Sequence, residues 1–520
     1  QLLLRGDKHE AFRERMLKRI QERPAADWMA DFVAAGGVVA AIYETTQQAL
    51  SNPDVVANGH AVEREDGSVQ LGPVARLMRT PGVPGSEVRP DDDLELAWAA
   101  SPRPAPSRAS AEGLPLAGVR VVELATIIAA PLGATFLADM GADVIKVEQI
   151  GGDPYRSFGV GTGAARVNTG KRSLSVDLKS DAGQEIVRRL CAEADIVIHN
   201  YRPGVAERLG IGYDELAAVN PGLVYLQVNG YGPDGPGAMR PSTHPIPGAA
   251  MGGAMYQMGE RLPDALQDMD GLRLWTRRLM RANELNPDPN TAAVVATAAT
   301  LGLVARQANG EGQRILVDMF GANAYANYDD FIAYPGKPAR LLADNLGHGL
   351  APTYRLYPCA AGQWVFLALV TRRDKERFVE ALRAAEIQAP DVAELNEGGD
   401  KLINALTDLF SAQDADFWER LLASVGVGCV RAGAHTQSEF WLQDEQVAAL
   451  ELTSEIEHPS WGRYRRHGAM VRFDGKPRPL GPPPLAGQHN AELAVLAGVA
   501  PERVAELEAT AVLFREADAT

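Results

Sequence analysis

The residues best suited to chemistry lie far apart in the chain. Asp288 sits in Asn286-Pro287-Asp288-Pro289-Asn290-Thr291-Ala292, ahead of an Ala/Val/Leu-rich run to about Ala308. Asp followed by Pro marks a helix start, because the carboxylate caps open N–H groups and Pro lacks only a donor the first turn does not use. The local pattern therefore predicts Asp288 as an N-cap. The same place is the positive end of a helix, which favours the ionised carboxylate that a nucleophile requires. His244, between prolines in Pro241-Ser242-Thr243-His244-Pro245-Ile246-Pro247, reads as a loop histidine of acid/base type.

Cations form a second group. Lys171-Arg172 falls in Asn168-Thr169-Gly170-Lys171-Arg172-Ser173, and Asn200-Tyr201-Arg202-Pro203-Gly204 is followed by Arg208. Any one of them is ordinary surface charge. Together, near strand ends and exposed backbone N–H groups, they suit phosphate oxygens. Gly347-His348-Gly349 reads as a turn or as a mobile glycine loop over a site. Gly159-Val160-Gly161-Thr162-Gly163 lacks the full dinucleotide spacing, so a nicotinamide or flavin is not expected.

The elements that position these groups read as α/β. Val119–Leu124, Ala142–Glu148, Asp195–His199 and Leu223–Val228 are short apolar runs suited to buried strands. Pro131–Met140 and Asp181–Glu193 between them have helical spacing. Strands alternating with such helices predict a parallel, doubly wound sheet with ligands at the carboxyl ends of its strands.

Composition narrows the class. The 520 residues are 46% hydrophobic and 23% charged, with 51 Lys+Arg against 67 Asp+Glu, a formal charge of −16. That is a globular composition, and its acidity argues against a nucleic-acid or membrane-surface binder. Cys191, Cys359 and Cys429 are widely separated, so neither a disulfide framework nor a metal site is expected, and a cytoplasmic setting fits. No run of about 18 apolar residues stands out. The opening Gln1-Leu2-Leu3-Leu4-Arg5 lacks an initiator Met and a signal layout, so the chain is expected to begin part-way through a longer protein.

Ala99–Glu112 (AASPRPAPSRASAE) is a linker by composition. The piece before it resembles the tail of the piece after it: the stretch from Asp27-Trp28 matches that from Asp416-Phe417, at an offset of 389. In both, a helix ends near glycine, a short strand is expected, and a Thr/Gln-rich turn follows, which predicts an internal repeat.

These segments assemble into a known pattern. Pro115–Leu124 (PLAGVRVVEL), Ala129-Ala130-Pro131, Leu137–Glu148, Gly152–Arg156, Asn168–Asp177, Asn200–Tyr213, Asn309–Gln313 and Pro482–His489 resemble class III coenzyme A transferases of the CaiB/BaiF type, over about 115–495. The resemblance implies a Rossmann-like parallel-sheet large domain, a smaller α+β domain and an interlocked architecture. It divides the chain into 1–98 (the C-terminal remnant of a first copy), 99–112 (linker), 113–330 (large domain), 331–435 (small domain) and 436–520 (a return to the large domain). The remnant makes this a tandem member, with an interlocked dimer or a tandem pseudo-dimer as the expected assembly.

The family's catalytic aspartate matches Asp288, 25 residues before Gln313. Its contacts to coenzyme A, the only cofactor implied, match Lys171, Arg172, Asn200, Tyr201, Arg208 and Ala129, and its mobile loop matches Gly347-His348-Gly349. Partners are then an acyl-CoA and a carboxylic acid. Thr126, Ile128 and Gln149 replace residues that formyl-CoA transferases use, which argues against oxalate or formate. His244 falls near a position that is Tyr in formyl-CoA transferases and His-Asp in α-methylacyl-CoA racemases. A transferase using Asp288 leads. A racemase with Asp288 and His244 as acid and base, a dimethylsulfoniopropionate-type transferase/lyase and a non-catalytic CoA-binding half stay open.

Overall fold

The computed structural model describes residues 7–83, 114–158, 161–282, 287–433, 435–458, 460–469, 471–473 and 481–517. The linker 99–112 and Gly159 lie outside them. The chain divides into two units. The larger comprises Lys18–Gly252, Asn283–Pro335 and Glu451–Thr520; the smaller comprises Gln1–Leu17, Gly253–Ala282 and Gly336–Leu450. The expected cuts at 331 and 435 differ from these bounds. Ile332–Ala333 pairs with a strand of the larger unit, and the Met269–Ala282 helix belongs to the smaller one.

A seven-stranded sheet organises the larger unit. Its order is Arg76–Leu77, Gln313–Asp318, Val224–Asn229, Ile196–His199, Arg120–Glu123, Asp143–Glu148, Arg172–Ser175. Six strands run parallel, and Arg76–Leu77 closes one edge antiparallel. The strands read from apolar runs form within a residue or two of expectation. Ile196–His199 and Val224–Asn229 are buried throughout, as parallel strands covered on both faces must be. Chain order runs outward from Arg120–Glu123 to one side and from Ile196–His199 to the other. The carboxyl ends of these two neighbours are therefore the switch point where α/β sheets bind ligands.

The Ala129–Asp139 and Pro287–Asn309 helices pack on one face. They approach closely because Gly133 leaves room: a Cβ there would lie 2.7 Å from Val295. By length and composition the stretch from Met269 to Asn309 has the makings of a membrane span. In the fold, Asp288, Thr291, Val295, Ala299 and Gly302 are buried, the pattern of a helix lying on a core. The opposite face is covered by Asp181–Ala192, Asn490–Leu496 and Pro501–Ala509.

The smaller unit has an antiparallel sheet in the order Gly349–Ala351, Tyr354–Pro358, Trp364–Ala368, Gly428–Ala432. Its core joins Phe378, Leu406, Phe410, Trp418 and Leu422 to that sheet.

The repeat has a structural counterpart. Thr45 forms a capping box with Gln48, Asn52 caps Pro53–Ala57, and the hairpin Ala61–Glu63/Val69–Leu71 follows. Thr436 forms a capping box with Glu439, Asp444 caps Glu445–Ala449, and the hairpin Thr453–His458/Gly462–His467 follows. One expectation fails. The front stretch after Gly36 is not a strand, whereas Gly428–Ala432 is, because only the latter pairs with a neighbouring strand, Trp364–Ala368. The front piece is built into the larger unit: Val69–Leu71 pairs with Ile332–Ala333, and Arg76–Leu77 pairs with Gln313–Asp318.

Candidate active site

Asp288 lies in the first turn of the Pro287–Asn309 helix and is only 5% exposed. The helix already includes Pro287, so Asp288 is not the N-cap that the Asp-Pro pair predicts. Its carboxylate instead turns to a partner. His244 is the residue just before the Pro245–Ala250 helix, where Pro245 suits the first position. Its Nδ1 lies 2.6 Å from Asp288 Oδ2. Two residues 44 apart, each on a proline-flanked helix start, therefore meet as an imidazole–carboxylate pair. Asn323 steadies this place, donating from Nδ2 to the Pro287 carbonyl at 3.2 Å and accepting from Asn290 Nδ2 at 3.0 Å. The Tyr155 phenol is held above its ordinary pKa by burial and then by the charges of Asp288 and Asp153.

A buried ionic network joins Glu123 at the end of one strand, Lys146 within the next and Lys171 just before a third. Glu123 and Lys146 stand opposite each other on adjacent strands. Lys146 Nζ donates to Glu123 Oε1 at 2.8 Å, to Asp153 Oδ2 at 2.9 Å and to the Ala125 carbonyl. Lys171 Nζ donates to Glu123 Oε2 at 2.6 Å and to the carbonyls of Pro131 and Val167, both at 2.7 Å. Burial pushes Lys171 down to about 8, with Lys146 adding repulsion and Glu123 opposing. Lys146 is raised: burial disfavours its charge, but Glu123, Asp153 and Glu148 outweigh it. Glu148 is held below the ordinary carboxylate range despite burial, chiefly by Arg156, which donates from Nε and Nη2 at 2.7 Å each.

The network grips the turn that opens the Ala129–Asp139 helix. Asn200 accepts from Thr126 N and donates to Thr126 O, both at 3.0 Å, across the switch point. Asp153 accepts from Ile127 N at 3.2 Å. Ile127 is thereby held at φ 73°, a left-handed conformation that a β-branched residue adopts only when its surroundings over-determine it. Ala129 opens the helix, and Ile128 before it supplies no side-chain cap. A helix start without a side-chain cap is a place where an anionic group can be accepted.

The expected coenzyme A contacts separate on this geometry. Lys171 is a correction: all three ammonium protons have acceptors inside the protein, so it anchors the fold and does not present a charge to phosphate. Arg172 is paired with Asp143 and Glu492 and remains partly exposed. Asn200 holds the Thr126 turn. The Tyr201 phenol is pushed up to about 12 by burial, and its ring lies against His199. Arg208, and Arg202 beside it, are exposed and form no ion pair among the described residues. Gly347-His348-Gly349 belongs to the smaller unit. It is a braced turn: Asp344 Oδ1 accepts from Leu346 N and His348 N, and His348 Nδ1 lies 3.1 Å from Arg355. Among the described residues, no cluster of three or more His, Cys, Asp or Glu is placed to hold a metal.

Sequence reading missed Tyr155 and the roles of Lys146 and Asp153. The signal was available in Val144-Ile145-Lys146-Val147-Glu148, where charges in a buried strand require partners.

Comparison with known proteins agrees with this architecture. The chain is 28% identical over 411 residues to a succinyl-CoA–D-citramalate CoA-transferase of Chloroflexus aurantiacus, covering 77% of this chain and 98% of that one. It is 26% identical to a human succinyl-CoA:glutarate CoA-transferase, covering 73% and 85%. A crystal structure of a CaiB/BaiF family protein from Brucella suis superimposes with a TM-score of 0.56 at 25% identity, covering 74% of this chain and all of that one. The sequence model of CoA-transferase family III matches residues 116–490, and the chain belongs to that family of enzymes, which act on CoA thioesters.

Proposed function

We propose that the protein moves CoA from an acyl-CoA thioester to a carboxylic acid through covalent intermediates on Asp288. The observation that carries this reading is the 2.6 Å contact between His244 Nδ1 and Asp288 Oδ2 at a helix start. The imidazole and the helix start orient the carboxylate, leaving Oδ1 to attack.

Oδ1 adds to the thioester carbonyl, the C–S bond breaks, and CoA leaves as thiolate from a mixed anhydride. The thiolate attacks the aspartyl carbonyl, releasing the donor acid and forming an aspartyl-CoA thioester. The acceptor carboxylate attacks that thioester, giving a second anhydride and thiolate again. The thiolate then takes the acceptor acyl group and frees Asp288. Each step exchanges a carboxylate for a thiolate, so no net proton is needed. The open amides at Ala129 and Ala130 suit the oxyanion. Arg202 and Arg208, with the exposed part of Arg172, suit the phosphates of coenzyme A.

The racemase reading needs its acid and base on opposite sides of an α-carbon. Direct contact between His244 and Asp288 leaves no space for that carbon, which favours a nucleophile with its orienting partner. The recurring capped helices and hairpin support a tandem pseudo-dimer as the assembly.

The test is to trap the intermediate. Enzyme mixed with succinyl-CoA, or with each member of an acyl-CoA panel, should carry a mass adduct on the peptide containing Asp288, and hydroxylamine should remove it. Undiminished transfer by Asp288→Ala would sink the mechanism. Cα deuterium exchange without any acceptor acid would favour the racemase.

A further inference from the structure

Residues 40–60 lie outside the family match at 116–490, yet they pack on the helix that follows His244 and, through Asp318 and the Met319–Ala326 helix, reach the start of the helix that carries Asp288. On the His244 side, Glu44 N donates to the Ala249 carbonyl at 3.0 Å, in the helix that begins one residue after His244. Ala49, Leu50 and Val55 share a core with Ile246, Ala250 and Met251 of that helix and its end. Thr46, fully buried, bonds Asp330, and it leaves no space at Gly252, where a Cβ would lie 2.5 Å from it.

On the Asp288 side, His60 Nε2 lies 2.7 Å from Asp318 Oδ2, both residues being 2% exposed. The other oxygen of Asp318 caps the Met319–Ala326 helix through Gly321 N at 2.7 Å. The His60 ring lies so close that a Cβ at Gly321 would stand 2.3 Å from its Cε1. That helix carries Asn323, which donates to the Pro287 carbonyl next to Asp288.

We propose that the segment before the family-matched region is a positioning element of the active site, with His60 bracing Asp288 through Asp318 and Asn323 and with Thr46 bracing the His244 helix. The site of the matched region is incomplete without it. This inference rests on Asp288 and His244 being the reacting pair. The physical reason is that the front segment contacts the His244 helix directly and the Asp288 helix start through Asp318 and Asn323, and small displacements of reacting groups are costly, about 100-fold for 1 Å.

The test uses the full chain. His60→Ala should lower kcat for CoA transfer about 10-fold or more while KM for acyl-CoA stays within about twofold, because the brace acts on the position of Asp288 and not on the coenzyme. His60→Gln, which keeps an N–H toward Asp318, should recover most of that rate. The downfield proton resonance of the His244–Asp288 hydrogen bond should broaden or vanish in His60→Ala and return in His60→Gln. A folded His60→Ala with unchanged kcat and resonance overturns the proposal, as does a loss that His60→Gln does not recover. If His60→Ala fails to fold, Thr46→Val carries the same test, and an unchanged kcat there overturns it. Asp288→Ala separates the two readings. Transfer surviving that change refutes the catalytic assignment, whereas loss of transfer there with full rate in His60→Ala refutes only the brace.

Discussion

Two ionic clusters of the larger unit answer burial in opposite ways. Around Lys146 and Lys171, the side chains of both lysines and of Glu123 are 0% exposed, and every ammonium proton has an acceptor. Around Asp288, one carboxylate oxygen meets one imidazole, and His244 keeps 28% of its side chain exposed. A fully satisfied network has no valence left for a ligand and fixes geometry. A pair whose imidazole is partly exposed to solvent is where a substrate can react. Charge alone does not separate them. Lys171 looks like a phosphate contact in sequence and becomes a strut in the fold.

Four experiments break or sharpen this contrast. The largest effect is expected from Asp288→Ala, which should reduce kcat about 1,000-fold or more with the fold intact by circular dichroism. If transfer survives, the His244–Asp288 pair is not the reactive one. Next is Lys146→Met, which leaves Glu123 and Asp153 buried without their shared cation. It should cost about 3–5 kcal/mol, read from the urea midpoint. A loss below about 1 kcal/mol would show that the network is not the anchor.

His244→Gln comes third, with kcat lowered about 10- to 100-fold and KM for acyl-CoA little changed. A rise in KM at constant kcat would move His244 from orienting Asp288 to binding the coenzyme. The smallest effect concerns pH. Lys171 titrates near 8 in the fold and near 10.4 when unfolded. Between these values the unfolded chain binds the extra proton, so this lysine's contribution to stability rises with pH, by at most about 1.4 kcal/mol per unit. Comparing urea midpoints of wild type and Lys171→Met from pH 7.5 to 10 isolates the slope. Identical slopes would mean that Lys171 stays charged.

The sheet was legible because buried parallel strands are local objects. Val119–Leu124 and Asp195–His199 advertise themselves as apolar runs, and Arg120–Glu123 and Ile196–His199 form there. Arg172–Ser175 was hidden, since its Arg172 and Ser173 look like a polar turn, and only pairing with Asp143–Glu148 makes them a strand. At the site, Asp288 and His244 were each readable as candidates, but nothing local joined them. The capping reading of Asp288 failed for the same reason: its carboxylate has a partner 44 residues away, and local spacing cannot weigh that partner.

By itself the sequence determined most element types, the parallel character of the sheet and the family, because hydrophobic periodicity and short turn signatures are properties of neighbours in the chain. It also marked two stretches of like local pattern, whose capping residues Thr45 and Thr436 serve the same local purpose. Tertiary structure alone decided which charges are fully enclosed struts and which stay near solvent. Desolvation depends on what surrounds a side chain in space, and it separates Lys171 from Arg208 and joins His244 to Asp288. It also decided that residues 40–60 belong to the surroundings of the site, since the packing of His60 against Asp318 spans 258 positions that no local pattern connects.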